Sequence, residues 1–286
     1  MTLNAPASPR IDPTVDRARL RSFEWRSKGL TSALVPTMGA LHEGHLALVR
    51  AAAKRADTVV VSIFVNPTQF GPAEDFSSYP RDHAGDLAKL AELGVDAVFM
   101  PSTEEMYPEG FATTVSLEGP ALGLEADFRP THFQGVATVV AKLLLATQPD
   151  IAIFGEKDYQ QLLVIRRMVT DLGIPVAIEG LPTVREPDGL ALSSRNAYLS
   201  EAERATAPLL QATLRAVAGA VLAGDDPATA LATARDTLAA GGFAVDYVEL
   251  RNADTLAPVA DPACEPLRLL AAATLGRTRL IDNIAV

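Results

Sequence analysis

His42 and His45 stand three residues apart around Gly44, directly after the small-residue turn Thr37-Met38-Gly39-Ala40-Leu41. The apolar run Ala33-Leu34-Val35 leads into that turn, and an alanine- and leucine-rich amphipathic stretch leaves it. A buried strand turning tightly into a helix presents unpaired N–H groups at the helix N-terminus, a setting that suits the phosphates of a nucleotide. Three-residue spacing puts both imidazoles on one helical face. There they could neutralise charge building on phosphate during phosphoryl or nucleotidyl transfer. Two other readings stay open at this point. A zinc site would want a third ligand, and His83 and His132 stand at no recognisable spacing from the pair. Alternatively, both rings are surface histidines without a task.

Other polar clusters follow apolar runs in the same manner. Asn66-Pro67-Thr68-Gln69-Phe70 comes after Thr58–Val65, and Gly155-Glu156-Lys157-Asp158 comes after Ile151–Phe154. Lys157 offers a cation for phosphate and Asp158 a carboxylate for a ribose hydroxyl, or both are solvated charges on a helical turn. Gln69 and Gln161 are neutral amides suited to a polyhydroxy carboxylate. Leu192-Ser193-Ser194-Arg195-Asn196 gathers two hydroxyls and a guanidinium, an anion-binding cluster or a plain polar turn. Neither a Gly-x-x-x-x-Gly-Lys-Ser/Thr phosphate loop nor a Gly-x-Gly-x-x-Gly after the first strand occurs. An ordinary P-loop ATPase and a dinucleotide-dependent dehydrogenase are therefore disfavoured.

The elements that must position these groups read as an alternating α/β chain. A helix is expected over Ile11–Lys28, with Val15, Leu20 and Phe23 as its apolar positions and Gly29 as its stop. Strands are expected at Ser32–Pro36, Thr58–Val65, Asp96–Met100, Thr113–Leu117 and Asp150–Phe154. Helices are expected from His45 to near Asp57, over Arg81–Leu93 and Val136–Leu145, and from the turn Gly155–Asp158 to about Asp171. Continuous β-branched strands joined by helices imply a parallel sheet, and such sheets bind ligands beyond their carboxyl ends. Three of the polar turns fall there. Pro175–Glu179 and Pro182–Arg185 read as short extended segments. From about residue 184 the texture changes to alanine-rich helices, the first opened by the capping box Ser200-Glu201-Ala202-Glu203. Alternating strands at Ala244–Leu250, Arg268–Ala273 and Thr278–Ile284 close the chain. The expectation is a domain over residues 1–183 and a smaller α+β domain over 184–286.

With 25 Lys and Arg against 35 Asp and Glu in 286 residues, the net charge is −10. That balance argues against a nucleic-acid surface, so an anionic ligand must be met by local cations and backbone donors. A single cysteine, Cys264, excludes an intrachain disulfide and fits a reducing compartment. No signal-peptide pattern and no run long enough to span a bilayer is read. A cytoplasmic protein is expected, with a frayed Pro/Ala/Ser-rich opening over residues 1–9.

Four segments together resemble the pantoate–β-alanine ligase (pantothenate synthetase) family: Pro36–His45, Phe64–Phe70, Phe154–Gln161 and Ser193–Asn196. The His-x-Gly-His element alone marks only the wider nucleotidyltransferase superfamily. The resemblance implies a Rossmann-like parallel-sheet N-terminal domain, a smaller α+β C-terminal domain and a homodimer. It implies ATP-dependent, Mg2+-dependent condensation of pantoate with β-alanine through a pantoyl adenylate. By resemblance, ATP is lined by Met38, Gly39, Ala40, Leu41, His42, Glu43, Gly44 and His45, by Gly155, Glu156, Lys157 and Asp158, and by Val184, Leu192, Ser193, Ser194 and Arg195. His45 is the family's proton donor, a placement that phosphate stabilisation explains equally, and His42, Lys157, Ser193 and Arg195 serve the phosphates with it. Ser193 and Arg195 make the second domain a candidate lid. Gln69 and Gln161 hold pantoate, with Asn66, Tyr79 and Arg129 as further substrate-site candidates, and no metal ligand is assigned. Leu192 replaces an expected methionine, and Thr131 and Gln134 depart from the commoner pattern around Arg129–His132. Two alternatives are another His-x-Gly-His nucleotidyltransferase and a non-catalytic nucleotide sensor.

Overall fold

The computed structural model describes residues 8–71, 74 and 76–286. The opening expected to fray lies, up to Ala7, outside the described residues, as do Pro72, Ala73 and Asp75. Strand β1 (Arg10–Asp12) leads into helix α1 (Val15–Ser27), where Thr14 caps the Arg17 N–H. Strand β2 (Ser32–Thr37), helix α2 (Glu43–Ala52) and strand β3 (Thr58–Ile63) form a βαβ unit, and every residue of β3 is buried. Helix α3 (His83–Glu92) and strand β4 (Ala97–Phe99) follow, then the short helices α4 (Thr103–Met106) and α5 (Glu125–Phe128). Next come helix α6 (His132–Thr147), strand β5 (Ile151–Gly155), helix α7 (Tyr159–Leu172) and strand β6 (Ala177–Leu181). Helices α8 (Glu201–Thr206), α9 (Leu209–Leu222) and α10 (Pro227–Ala240) precede strands β7 (Phe243–Asn252), β8 (Leu267–Leu275) and β9 (Thr278–Ala285).

The chain gathers into two compact units, each described by itself. The first holds the described residues up to Leu117 with Arg129–Glu156 and Val164–Pro182. Its six strands are all parallel, in the order β1-β4-β3-β2-β5-β6. This is a Rossmann-like sheet. Strand order runs outward from β2 in both directions, so a crevice opens beyond the carboxyl ends of β2 and β5, where doubly wound sheets take ligands. Ala33 and Val35 pack with Leu48, Val49 and Ala52 of α2. Leu34, on the opposite face, is equally inaccessible, which explains the unbroken apolar run; burying one such side chain is worth about 2 kcal/mol.

The second unit holds Glu118–Phe128, Lys157–Leu163 and Thr183–Val286. Its sheet is antiparallel, β7-β8-β9. Leu267, Leu269 and Leu275 of the central strand pack with Leu210, Leu214 and Leu238 of α9 and α10. Leu270 and Ala272, one residue out of phase, pack with Leu124, Leu163 and Leu256. Glu125, on a segment far away in sequence, accepts from the Tyr247 hydroxyl (2.9 Å) and from two Arg279 nitrogens (2.7 and 2.8 Å), while Arg279 Nε donates to Asp246 at 2.7 Å. Burial, then the Glu125 charge, pushes the Tyr247 phenol far up. Burial alone would lower Arg279, but its bonds to Glu125 and Asp246 outweigh that and raise it. Gln160 ties in the same segment, donating to the Pro120 and Gly123 carbonyls and accepting from the Glu125 N–H.

Several expectations are corrected. Helix α1 starts at Val15 because residues 10–12 pair with β4 as an edge strand. Leu20 and Phe23 are exposed, and the buried positions are Ala18, Arg21 and Ser22. Arg21 makes a two-pronged ion pair with the buried Asp12, and Ser22 donates to the Thr147 carbonyl. Helix α2 ends at Ala52, not near Asp57. Residues 113–117 form no strand: the Val115 N–H is taken by the Thr138 hydroxyl at 2.9 Å. Residues 182–185, expected only as a short extended segment, join no named strand and pair through the single antiparallel bridge Arg185–Ala191. The stretch Glu201–Leu222 is long and apolar enough to cross a membrane by length and composition. Its buried residues Leu210, Leu214 and Val217 mark it as a core element of the second unit.

Candidate active site

Helix α2 begins one residue after His42. His42 has extended backbone (φ −123°, ψ 175°) and is the N-cap, not a member of the helical face. Its Nδ1 accepts from the Gly44 N–H at 3.2 Å, and His45 Nδ1 accepts from the His42 N–H at 3.3 Å. The two imidazoles thus form a reciprocal capping box and lie with ring centroids 4.1 Å apart. An Nδ1 that accepts a hydrogen bond leaves the proton of a neutral ring on Nε2. Both rings are therefore arranged as Nε2–H donors at the positive end of a helix. The Glu43 side chain turns instead toward exposed Arg50.

The turn before His42 is set from several sides. Gly39 (φ 83°) and Ala40 (φ 52°) are left-handed, and a Cβ on Gly39 would come within 3.0 Å of Asp86 Oδ2 and 3.1 Å of Ile63. The Thr37 hydroxyl accepts from the Gly39 N–H at 3.2 Å and donates to the Ser62 carbonyl at 2.7 Å. Asp86 of α3, fully buried, accepts from the Ala40 N–H at 2.8 Å and the Leu41 N–H at 2.7 Å. Lys89, one turn further along α3, donates to the Leu41 carbonyl at 2.7 Å. Sequence reasoning missed Asp86 and Lys89, since nothing in an ordinary amphipathic helix reveals contact with a turn some 46 residues earlier. The available signal was an acidic residue among the apolar positions of α3, between Asp82 and Leu90.

Beyond β3 the structure brings Gln69, Asn66 and Met38 together. Asn66 is buried; its Nδ2 donates to Gln69 Oε1 at 3.1 Å and to the Gly135 carbonyl at 3.3 Å. Its Oδ1 accepts from Thr68 and from the Tyr107 hydroxyl at 2.6 Å. With its oxygen so engaged, the Gln69 amide turns Nε2 toward Met38 Sδ, 3.0 Å away. Arg129 and His132 both bond the Gln69 carbonyl, at 3.1 and 2.9 Å. Arg129 is also paired with Glu74, at 2.6 and 2.8 Å. Burial would raise the Glu74 carboxyl, but its Arg129 contacts outweigh that and hold it below its usual range. Tyr79 is buried edge-on to Phe70, with ring centroids 5.8 Å apart. Thr131 caps α6 without a side-chain bond, and the Gln134 carbonyl accepts from Thr138.

Gly155 ends β5, and Glu156 opens the 3-10 turn Glu156–Asp158. Within the second unit, Lys157 Nζ lies 3.8 Å from Asp158, and the Lys157 carbonyl accepts from Asn283 at 2.8 Å. Gln161 is partly exposed, whereas its neighbour Gln160 is buried in structural bonds. Val184 and Leu192 are joined, the Leu192 N–H donating to the Val184 carbonyl at 3.0 Å, so the departure at Leu192 meets Val184 through backbone. Ser193 caps the 3-10 turn Ser194–Tyr198 by accepting from the Arg195 N–H at 3.3 Å. Among the described residues no group of three or more His, Cys, Asp or Glu is gathered to hold a metal ion. Magnesium commonly takes only one or two carboxylates alongside substrate phosphates.

Comparison with known proteins identifies the family. Residues 11–285 match the family model described as pantoate-beta-alanine ligase. The chain is 54% identical over 279 residues to a pantothenate synthetase of Rhodopseudomonas palustris, covering 97% of this chain and 99% of the relative. It is 58% identical over 274 residues to that of Paramagnetospirillum magneticum, covering 96% of each. The crystal structure of pantothenate synthetase from Thermus thermophilus superposes with a TM-score of 0.88 at 51% identity, covering 96% of this chain and 98% of that one. A pantoate-beta-alanine ligase from Francisella tularensis, complexed with beta-gamma ATP and beta-alanine, superposes with a TM-score of 0.80 at 35% identity, covering 97% of each. A nucleotide sensor and a different nucleotidyltransferase are not favoured by similarity of this extent. The chain belongs to the pantoate–β-alanine ligase family and is an enzyme of that family.

Proposed function

We propose that the chain condenses pantoate with β-alanine, using ATP, by way of pantoyl adenylate. A carboxylate is a poor electrophile toward an amine in water. Attack of a pantoate carboxylate oxygen on the α-phosphorus of ATP forms a P–O bond and releases pyrophosphate. The neutral amine of β-alanine then attacks the acyl carbon, the C–O bond to AMP breaks, and the amine sheds a proton. Both steps need orientation and charge stabilisation rather than a protein nucleophile.

The observation that carries the reading is the pair of imidazoles, 4.1 Å apart, capping α2 beyond the end of β2. His42 and His45, as Nε2–H donors, stabilise the phosphates while pyrophosphate leaves; Lys157, Ser193 and Arg195 add charge and hydrogen bonds there. Met38–His45, Gly155–Asp158, Val184, Leu192 and Ser194 complete the ATP contacts, with Asp158 at ribose. Gln69, its Oε1 held by Asn66 and its Nε2 turned toward Met38, donates to pantoate together with Gln161. Tyr79 and Arg129 line and hold that end. Magnesium is assigned to the ATP phosphates, whose charge it neutralises when bound. Association as a homodimer rests on the family resemblance, and the exposed free thiol of Cys264 suits a cytoplasmic location.

Pantoate-dependent exchange of labelled pyrophosphate into ATP tests the reading with purified protein and magnesium. Exchange that appears only with pantoate supports it; exchange indifferent to pantoate rejects it.

A further inference from the structure

Two successive N–H groups that point at one spot from a left-handed turn make a concave anion seat. In this chain those N–H groups belong to Ala40 and Leu41, and the seat is filled from within. Asp86 Oδ2 takes the Ala40 N–H at 2.8 Å and Oδ1 takes the Leu41 N–H at 2.7 Å. The carboxylate is fully buried, so neither bond is shared with solvent. Charge-assisted bonds of this kind are the strong ones. They hold Ala40 at φ 52°, a conformation that L-residues other than Asn and Asp seldom adopt. Lys89, three residues along the same helix, donates to the Leu41 carbonyl at 2.7 Å. Helix α3 therefore grips the three peptides from Gly39 to His42 by donor and acceptor alike, and His42 is the cap of α2.

We infer that Asp86 is a positioning residue for adenylation, acting through this turn and not by touching ATP. The inference rests on the function proposed above. It has a specific consequence: the Ala40 and Leu41 N–H groups are spent inside the protein, so ATP phosphates are met by the imidazoles and cations and not by these two amides. Asp86 also keeps His42 and His45 from drifting, and a misplacement of about 1 Å can slow chemistry by about 10²-fold.

The test uses the full-length chain. In Asp86→Asn the amide keeps the size but turns an N–H against the Ala40 N–H. The expected result is a loss of at least about tenfold in the turnover of pantoate-dependent pyrophosphate exchange, with the pantoate KM within about threefold of wild type. Adding Ala40→Gly, which reaches φ 52° without the Cβ penalty, should recover part of the lost turnover. Amide exchange followed by NMR should find the Ala40 and Leu41 protons protected in wild type and released in Asp86→Asn. A folded Asp86→Asn with wild-type turnover, or a loss that Ala40→Gly leaves untouched, overturns the inference. So do Ala40 and Leu41 protons that exchange as fast in wild type as in the variant. If Asp86→Asn does not fold, Lys89→Met should still slow turnover a few-fold and loosen the same two amides, and no change in either also overturns it. Wild-type protein without pantoate-dependent exchange would reject the proposed function, leaving amide protection to judge the turn.

Discussion

The His42 backbone N–H donates to the His45 ring at Nδ1, 3.3 Å away. His45 therefore has two tasks, closing the cap of α2 with Nδ1 and presenting Nε2–H beyond the strand ends. His45→Ala should slow adenylate formation by about 10²–10³-fold, the usual effect of removing one donor to a charged transition state. The lost cap should cost about 1 kcal/mol, lowering Tm by only a few degrees. Single-turnover formation of the adenylate measures the first effect and thermal unfolding the second. Near-normal adenylation would remove His45 from the catalytic set.

Gly135 lies inside helix α6, where glycine-to-alanine ordinarily gains about 1 kcal/mol. Here the sign should reverse. A Cβ would fall 2.2 Å from the Thr68 carbonyl oxygen and 2.8 Å from the Gln69 nitrogen. Gly135→Ala must push away the turn that carries Gln69. Stability should drop by about 1–3 kcal/mol, and the pantoate KM should rise more than the ATP KM. A stabilised variant with unchanged pantoate kinetics would show that the approach is not tight.

Glu74 is held below its ordinary value of 4.5 in the fold, on balance by Arg129. A depressed carboxyl stabilises above its unfolded pKa and loses that contribution as pH falls through its folded value. The gap in stability between wild type and Glu74→Gln should thus be present at neutral pH and shrink below about pH 4.5, where wild type also becomes neutral. Its size should be about 1 kcal/mol, since the side chain of Glu74 is 26% exposed. Denaturant titrations at several pH values measure it, and a gap that widens in acid would contradict the assignment.

Glu125 tethers the segment Glu118–Phe128 to the antiparallel sheet through Tyr247 and Arg279. Glu125→Ala removes the acceptor and leaves a largely buried guanidinium short of one partner. A loss on the order of 3 kcal/mol is expected. Tyr247→Phe deletes one hydrogen bond only and should lose about 1 kcal/mol. Equal losses in the two variants would mean that the ion pair contributes nothing beyond packing.

Local periodicity carried most of the fold. Val59, Val60 and Val61 could only be a strand buried on both faces, and the three polar turns do follow the ends of β2, β3 and β5. Periodicity failed where polar groups decided the packing. Helix α1 buries Arg21 and Ser22 because Asp12 and the Thr147 carbonyl await them, so Leu20 and Phe23 were assigned to the wrong face. Residues 113–117 have a strand's composition, but the Thr138 hydroxyl takes the Val115 N–H. Of the candidate site residues, His42, His45 and Gln69 stand out because they lie in short motifs. Asp86, Tyr107 and Gly135 do not, because each acts by bonding or abutting a segment at least 41 residues away, and spacing along the chain holds no trace of that.

In the proposed reaction a carboxylate oxygen of pantoate attacks ATP at the α-phosphorus. Pantoate labelled with oxygen-18 in its carboxylate, turned over with ATP, magnesium and β-alanine, tests it directly. Mass spectrometry of the products should find one labelled oxygen in AMP for each pantothenate formed, the pantothenate amide retaining the other. Unlabelled AMP, or label in pyrophosphate or inorganic phosphate, would contradict the adenylate route.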